Sequence, residues 1–309
     1  MSVSNVHVLY AVNVAGAAGA FMDQVSDWDL SPNIRNLVLG GDGSVDPTYT
    51  AVGSQAPSIT FSTSKLATVL GKCGINGLEI KSAQELSAFL RKTVEGGTRA
   101  GASSHIKLLV NKGLLFPRRL RATNDASNPA TLDLECLATY DGSNDPVVVT
   151  SSQSLTGTPS VSEAFVAGPV SINGTTLNGV QSIDIDFALQ TQLLYGDGQV
   201  WPSYVYIALR LPIIRVVTLD PVSLATLGIS GAAQSGSDSL IYLRKIAEGG
   251  TRVADATAEH ISFSIDEGHI GVSSIRGSQG RELATEQTIT PTSDGTNAIV
   301  AINAATAIS

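Results

Sequence analysis

The chain has 309 residues and a formal net charge of −8, with 43% apolar and only 15% charged residues. That apolar fraction excludes a disordered chain, the acidic balance excludes a protein that grips nucleic-acid phosphates through a basic patch, and the length suits two ordinary domains. Ordinary soluble domains carry about a quarter charged residues, so a surface this poor in charge is expected to lie largely against partner subunits.

The N-terminus reads Met-Ser-Val-Ser-Asn, with no Lys or Arg before the apolar run from Val8 to Phe21. Asn13, Gly16 and Gly19 interrupt that run, which is too polar and too short to span a membrane and lacks a signal peptide's basic start. The expectation is synthesis in a cytoplasm and no membrane partner. Cys73 and Cys136 then read as free buried thiols. From Ser82 to Val94, the residues Ala83, Leu86, Phe89, Leu90 and Val94 fall on one helical stripe. Ser82 is placed to cap this predicted helix, Glu85 completes a capping box, and Gly96 or Gly97 would end it. His105 opens a strand, and Lys107, Lys112, Arg118, Arg119 and Arg121 form the one basic cluster. Asp141-Gly142 reads as a hairpin turn, and the Ser/Thr/Gly/Pro stretch from Thr150 to Ser160 as a linker.

Beyond the linker, Val180 to Phe187 alternates, with Ile183, Ile185 and Phe187 on one side and Asp184 and Asp186 on the other. Gly196-Asp197-Gly198 predicts a hairpin turn, with strands over Val200–Tyr206 and Ile213–Leu219. A second helix is expected from about Ser237 to Ala247, and Asp294-Gly295 marks a last hairpin.

These elements recur in order. Phe89-Leu90-Arg91-Lys92-Thr93-Val94-Glu95-Gly96-Gly97-Thr98-Arg99 matches the eleven residues from Tyr242 to Arg252 at eight positions, 153 residues later. In the same order, Val6 and Tyr10 fall on Val161 and Phe165, Asp29 on Asp184, and Pro47 and Tyr49 on Pro202 and Tyr204. Leu66-Ala67-Thr68 falls on Leu224-Ala225-Thr226, His105 on His260, Gly113 on Gly268 and Arg121 on Arg276. The reading is a mainly β protein of two tandem units, residues 1–150 and 161–309 joined by a linker over 151–160. Each unit is a β-sandwich or barrel with one flanking α-helix. The units differ in charge: residues 1–155 hold 12 basic and 13 acidic residues (−1), and residues 156–309 hold 7 and 14 (−7).

Nothing in the pattern calls for catalysis, a cofactor or a metal. Glu-Gly-Gly-Thr-Arg follows its predicted helix, whereas phosphate loops precede one. Its Arg99 and Arg252 are therefore assigned to contacts between units or subunits, as are Arg118, Arg119 and Arg121. His105 and His260 lack any second ligand at metal spacing and read as hydrogen-bonded structural histidines. Asp29, Asp184 and Asp186 read as an acidic row that faces either solvent or a channel.

With its duplicated β-rich units, paired helices and sparse charge, the chain resembles the tail tube proteins of long-tailed bacteriophages. The resemblance implies a non-enzymatic virion protein whose chains form stacked rings. Two such domains per chain imply trimeric rings of pseudo-sixfold symmetry, contacts with other tail proteins, and genomic DNA passing through without specific binding. If each unit gives four strands to an inner barrel, about 24 strands at about 4.8 Å spacing and about 40° tilt enclose a backbone diameter of roughly 48 Å. Other readings are a distal tail or baseplate hub, a capsid-decorating module or adhesin, and an enzyme of unfamiliar type.

Overall fold

The computed structural model describes residues 6–14, 20–22, 24–41, 43, 45–82, 84–93, 104–155, 163–196, 198–234, 238–279, 282–293 and 295–309. The N-terminal half runs β1 (Val6–Val14), β2 (Ala20–Met22), β3 (Val25–Ser31), β4 (Ile34–Leu39), β5 (Tyr49–Gln55), β6 (Ser58–Thr63), α1 (Leu66–Cys73), β7 (Leu78–Ile80), β8 (Leu86–Thr93), β9 (His105–Val110), β10 (Gly113–Thr123), β11 (Thr131–Ala138) and β12 (Val148–Gln153). The C-terminal half runs β13 (Phe165–Ile172), β14 (Thr175–Leu177), β15 (Val180–Asp186), β16 (Leu189–Leu194), β17 (Tyr204–Arg210), β18 (Ile213–Thr218), α2 (Ser223–Leu227), β19 (Ala232–Ala233), β20 (Ser239–Lys245), β21 (His260–Ile265), β22 (Gly268–Arg276), β23 (Ala284–Pro291) and β24 (Ala301–Thr306).

The protein is mainly β, in several antiparallel sheets. The pairing order β12-β9-β8-β1-β2 of one five-stranded sheet recurs as β24-β21-β20-β13-β14 in another. Hairpin β4–β5 has its counterpart in β16–β17, and β7 flanks β10 as β19 flanks β22. The remaining strands form one long sheet in the order β22-β23-β18-β15-β10-β11-β6-β3. Alternation decides its faces. Leu132, Leu134 and Cys136 of β11, Ile183 and Ile185 of β15, and Ile214 and Val216 of β18 point into the core. There they join Val12, Leu86 and Leu108 from one five-stranded sheet and Phe165, Leu243 and Phe263 from the other, in one contiguous apolar cluster.

The helices expected at Ser82–Val94 and Ser237–Ala247 are strands: Leu86–Thr93 is β8 and Ser239–Lys245 is β20. Each lies inside its sheet, and Leu86, Ser87, Ala88 and Phe89 are consecutively buried. A strand covered on both faces shows no period-two alternation, and its short apolar run imitates a helical stripe. The helices fall instead on the repeated Leu-Ala-Thr segments, at Leu66–Cys73 and Ser223–Leu227.

Consequently Glu248-Gly249-Gly250 follows a strand rather than a helix, and forms a turn in which Gly249 and Gly250 take φ of 91° and 89°. Glu95, Gly96, Gly97 and Arg99 lie outside the described residues. Three further readings change. Asp141-Gly142 lies on a crossing from β11 in the long sheet to β12 in a five-stranded sheet, not in a hairpin. Ser151 to Gln153 of the expected linker belong to β12, where Gln153 pairs with His105. Lastly, His7 faces Lys92 as Phe165 faces Lys245, so Phe165 corresponds to His7 and not to Tyr10.

Candidate assembly surface

The two halves meet edge to edge. On β10 and β15, Arg119 lies opposite Asp186, Leu120 opposite Ile185, Arg121 opposite Asp184, Ala122 opposite Ile183 and Thr123 opposite Ser182. Two further backbone bonds extend the seam, Asn124 N–H to Gln181 O at 2.9 Å and Phe187 N–H to Arg118 O at 3.0 Å. On the core side Leu120 and Ile185 have no exposed surface. On the other side the Arg119 guanidinium grips Asp184, with Nε 3.0 Å from Oδ2 and Nη2 2.5 Å from Oδ2. This hydrogen bond raises the Arg119 pKa above its ordinary value. Arg215 approaches Asp184 from β18 at 3.8 Å, Arg121 pairs with Asp133 at 3.3 Å, and Arg118 with Glu135 at 2.9 Å.

Asp184 and Asp186 therefore do not form an acidic row. They share their face with Arg119, Arg121 and Arg215, in a ladder of mixed sign. Arg118 sits at a β-bulge, between Pro117 and Arg119, and bonds within its own half. Arg119 reaches from the N-terminal to the C-terminal half, and Arg252 crosses in the opposite direction, its Nη2 donating to Asn124 O at 3.0 Å. Asp29 stands on β3 opposite Thr60, on the exposed edge of the long sheet.

Two further contacts complete the joint. Hairpin β16–β17 lies over the end of β10–β11, where Leu114, Phe116 and Leu137 pack with Val205, Leu189, Leu193 and Ile207. At its base Trp201 stacks on Tyr140 at 5.5 Å and donates its Nε1–H to Gln55 Oε1 at 3.1 Å. Behind the sheet, α1 packs against β24. Glu163 of the C-terminal half accepts from the Ala67 and Thr68 amides at 3.0 and 3.3 Å and from the Thr68 hydroxyl. A carboxylate there satisfies amides that the helix itself leaves open. Sequence reading missed Glu163, which carries no local signal because its partners lie about a hundred residues away.

Each surface in this joint has a counterpart at the outer ends of the chain. Both β10 and β22 carry a bulge after the fifth residue from Gly113 or Gly268, so Ser274, Ile275 and Arg276 stand where Arg119, Leu120 and Arg121 do. Ile275 is 47% exposed, whereas Leu120 is fully covered. On β3, Asp29, Leu30 and Ser31 stand where Asp184, Ile185 and Asp186 do.

His105 and His260 are hydrogen-bonded in the interior of the protein. Lys92 N–H donates to His105 Nδ1 at 3.0 Å and Lys245 N–H to His260 Nδ1 at 3.1 Å, and both rings are fully buried. With Nδ1 accepting, the His260 proton sits on Nε2 and donates to Ala254 O at 3.0 Å. Cys73 and Cys136 are free and buried, and burial pushes the Cys73 thiol up to about 12. Among the described residues no group of three His, Cys, Asp or Glu side chains is placed to hold a metal ion. No described helix is long and apolar enough to cross a membrane. No protein-family model and no curated protein matches the chain.

Proposed function

We propose that this chain is a structural protein made of two tandem copies of one β-sandwich domain, which closes with further copies into rings that stack as an open tube, as in the virion tails it resembles. The observation that carries this reading is the long sheet. Its halves join edge to edge through β10 and β15; towards its outer ends stand their counterparts β22, which β19 covers at His269 and Ile270 and leaves open from Ser274 to Arg276, and β3. An edge that repeats its own complement generates head-to-tail contacts, and these close into a ring when the rotation permits. The register carried over from the joint sets Ile275 against Leu30 and Arg276 against Asp29, which covers the exposed isoleucine and pairs opposite charges.

Each half contributes four strands, so three chains give about 24 and the roughly 48 Å barrel expected above. The five-stranded sheets would lie outside and the charged face inside. Asp29, Asp184 and Asp186 would then line the lumen together with Arg119, Arg121 and Arg215. Such a mixed wall neither traps a polyanion by releasing its counterions nor strongly repels it, which suits passage of DNA. Self-association, other tail proteins and passing nucleic acid are the partners this implies, with no cofactor or catalytic role.

Mass measurement and electron microscopy of the purified protein test the reading. Rings of three chains that stack are expected. A chain that stays monomeric at every concentration, or rings of another number, would reject it, and single unstacked rings would make it a hub rather than a tube.

A further inference from the structure

Hairpin β4–β5 is the least explained part of the molecule. Among the described residues its strands form a two-stranded sheet of their own, tied at its base by the Gln55 N–H to Val200 O at 2.8 Å, and all six residues of β4 are exposed. Ile34, Leu37, Val38, Leu39, Tyr49 and Val52 are between 44% and 54% exposed. An isolated two-stranded ribbon is marginal at best in water, and one with so apolar a surface needs a partner.

Its counterpart shows what that partner looks like. The registers of β4–β5 and β16–β17 agree pair for pair, including the bulge, so Ile34, Val38, Thr50 and Val52 correspond to Leu189, Leu193, Val205 and Ile207. Those four residues pack on Leu114, Phe116 and Leu137 of β10–β11. The positions equivalent to these three on β22–β23 are His269, Gly271 and Thr290. His269 and Thr290 are exposed, and an added Cβ at Gly271 meets nothing nearer than His269 Cε1 at 3.8 Å, so room stands open where Phe116 fills the internal joint.

We propose that hairpin β4–β5 of one copy seats on β22–β23 of a second copy, with Ile34, Val38 and Val52 over His269, Gly271 and Thr290. This rests on the ring reading and adds which surfaces meet and in what register. A third pair of surfaces agrees with it. As α1 packs on β24 within the chain, α2 of one copy would face β12 of the next, and Val222 beside α2 and Val149 on β12 are 74% and 63% exposed.

The test mixes two single variants of the full chain, Val52→Cys and Gly271→Cys, under mild oxidation. The native thiols are buried and stay silent. A disulfide-linked dimer in the mixture, absent from either variant alone, is the expected result. In parallel, Val38→Asp with Val52→Asp should abolish assembly by light scattering while leaving the thermal midpoint of the dissociated chain unchanged, since both side chains are exposed there. Rings that form without the crosslink would overturn the hairpin contact and leave the ring reading intact. A wild-type chain that never assembles would overturn both.

Discussion

Asp184 shows how one residue's role depends on its neighbours. Alternation places it away from the core, where a run of carboxylates would repel itself, but two arginines from different strands meet it. The cysteines carry a prediction at the same scale. A thiol raised from 9.0 to about 12 stays protonated in the folded chain while the unfolded chain ionises. Its contribution to stability is therefore complete below pH 9, falls as pH rises, and is gone above about 12. Denaturant titrations between pH 8 and 11 should show a falling midpoint, and a thiol reagent should label neither cysteine of the native chain at pH 8. Stoichiometric labelling of the native chain would contradict the burial.

Among the elements, α1 is held by another part of the chain. Lys65, at the capping position before it, makes no side-chain cap, and Glu163 takes that role from the C-terminal half. Replacing Glu163 by Ala should cost about 1 kcal/mol, as loss of a helix cap does, and Glu163→Asp should restore part of it. Chemical denaturation measures both, and a cost near zero would mean that water replaces the carboxylate. The starts of β10 and β22 explain a repeated glycine. A Cβ at Gly113 would run into Leu137 O, and one at Gly268 would lie 2.7 Å from Thr290 O. Gly113→Ala should destabilise the chain by about 1–3 kcal/mol through overpacking against backbone.

Across the whole molecule, the internal seam is more strongly charged than the corresponding open stretches of β22 and β3. It carries Arg119, Arg121, Asp184 and Asp186, where the outer edges carry Ser274, Arg276, Asp29 and Ser31. On the ring reading proposed above, the assembly should therefore dissociate to folded chains before the chains unfold. As denaturant rises, light scattering should fall ahead of circular dichroism, and coincident transitions would argue against a weaker outer seam. Arg119→Glu should act on the chain itself by setting a third acid beside Asp184 and Asp186. The loss of a charge-assisted hydrogen bond between half-exposed groups is worth about 1–2 kcal/mol, and repulsion adds to it. Reversal of Arg118 should cost less, because its side chain is more exposed and makes a single hydrogen bond to one carboxylate, Glu135.

Much of the strand layout is legible in the sequence because alternation and turn residues are local signals. Val180 to Phe187 alternates visibly, and β15 begins at Val180 with Ile183, Ile185 and Phe187 in the core. The recurrence of Phe89–Arg99 at Tyr242–Arg252 accompanies a recurring pairing order, since similar local sequence favours similar strands. The segments misread as helices fail for a physical reason. A strand buried on both faces loses its period, and only the sheets around β8 and β20 decide that they extend. The joint was likewise beyond reach. That Arg119 meets Asp184, that Glu163 grips α1, and that β16–β17 is covered while β4–β5 is bare depend on which edges of the folded halves come together. Contacts between residues 65 or more positions apart leave no periodicity in a chain, so the sequence by itself determined the alternating strands such as β15, and the tertiary structure decided that β8 and β20 extend and which strand surfaces were used and which were left open.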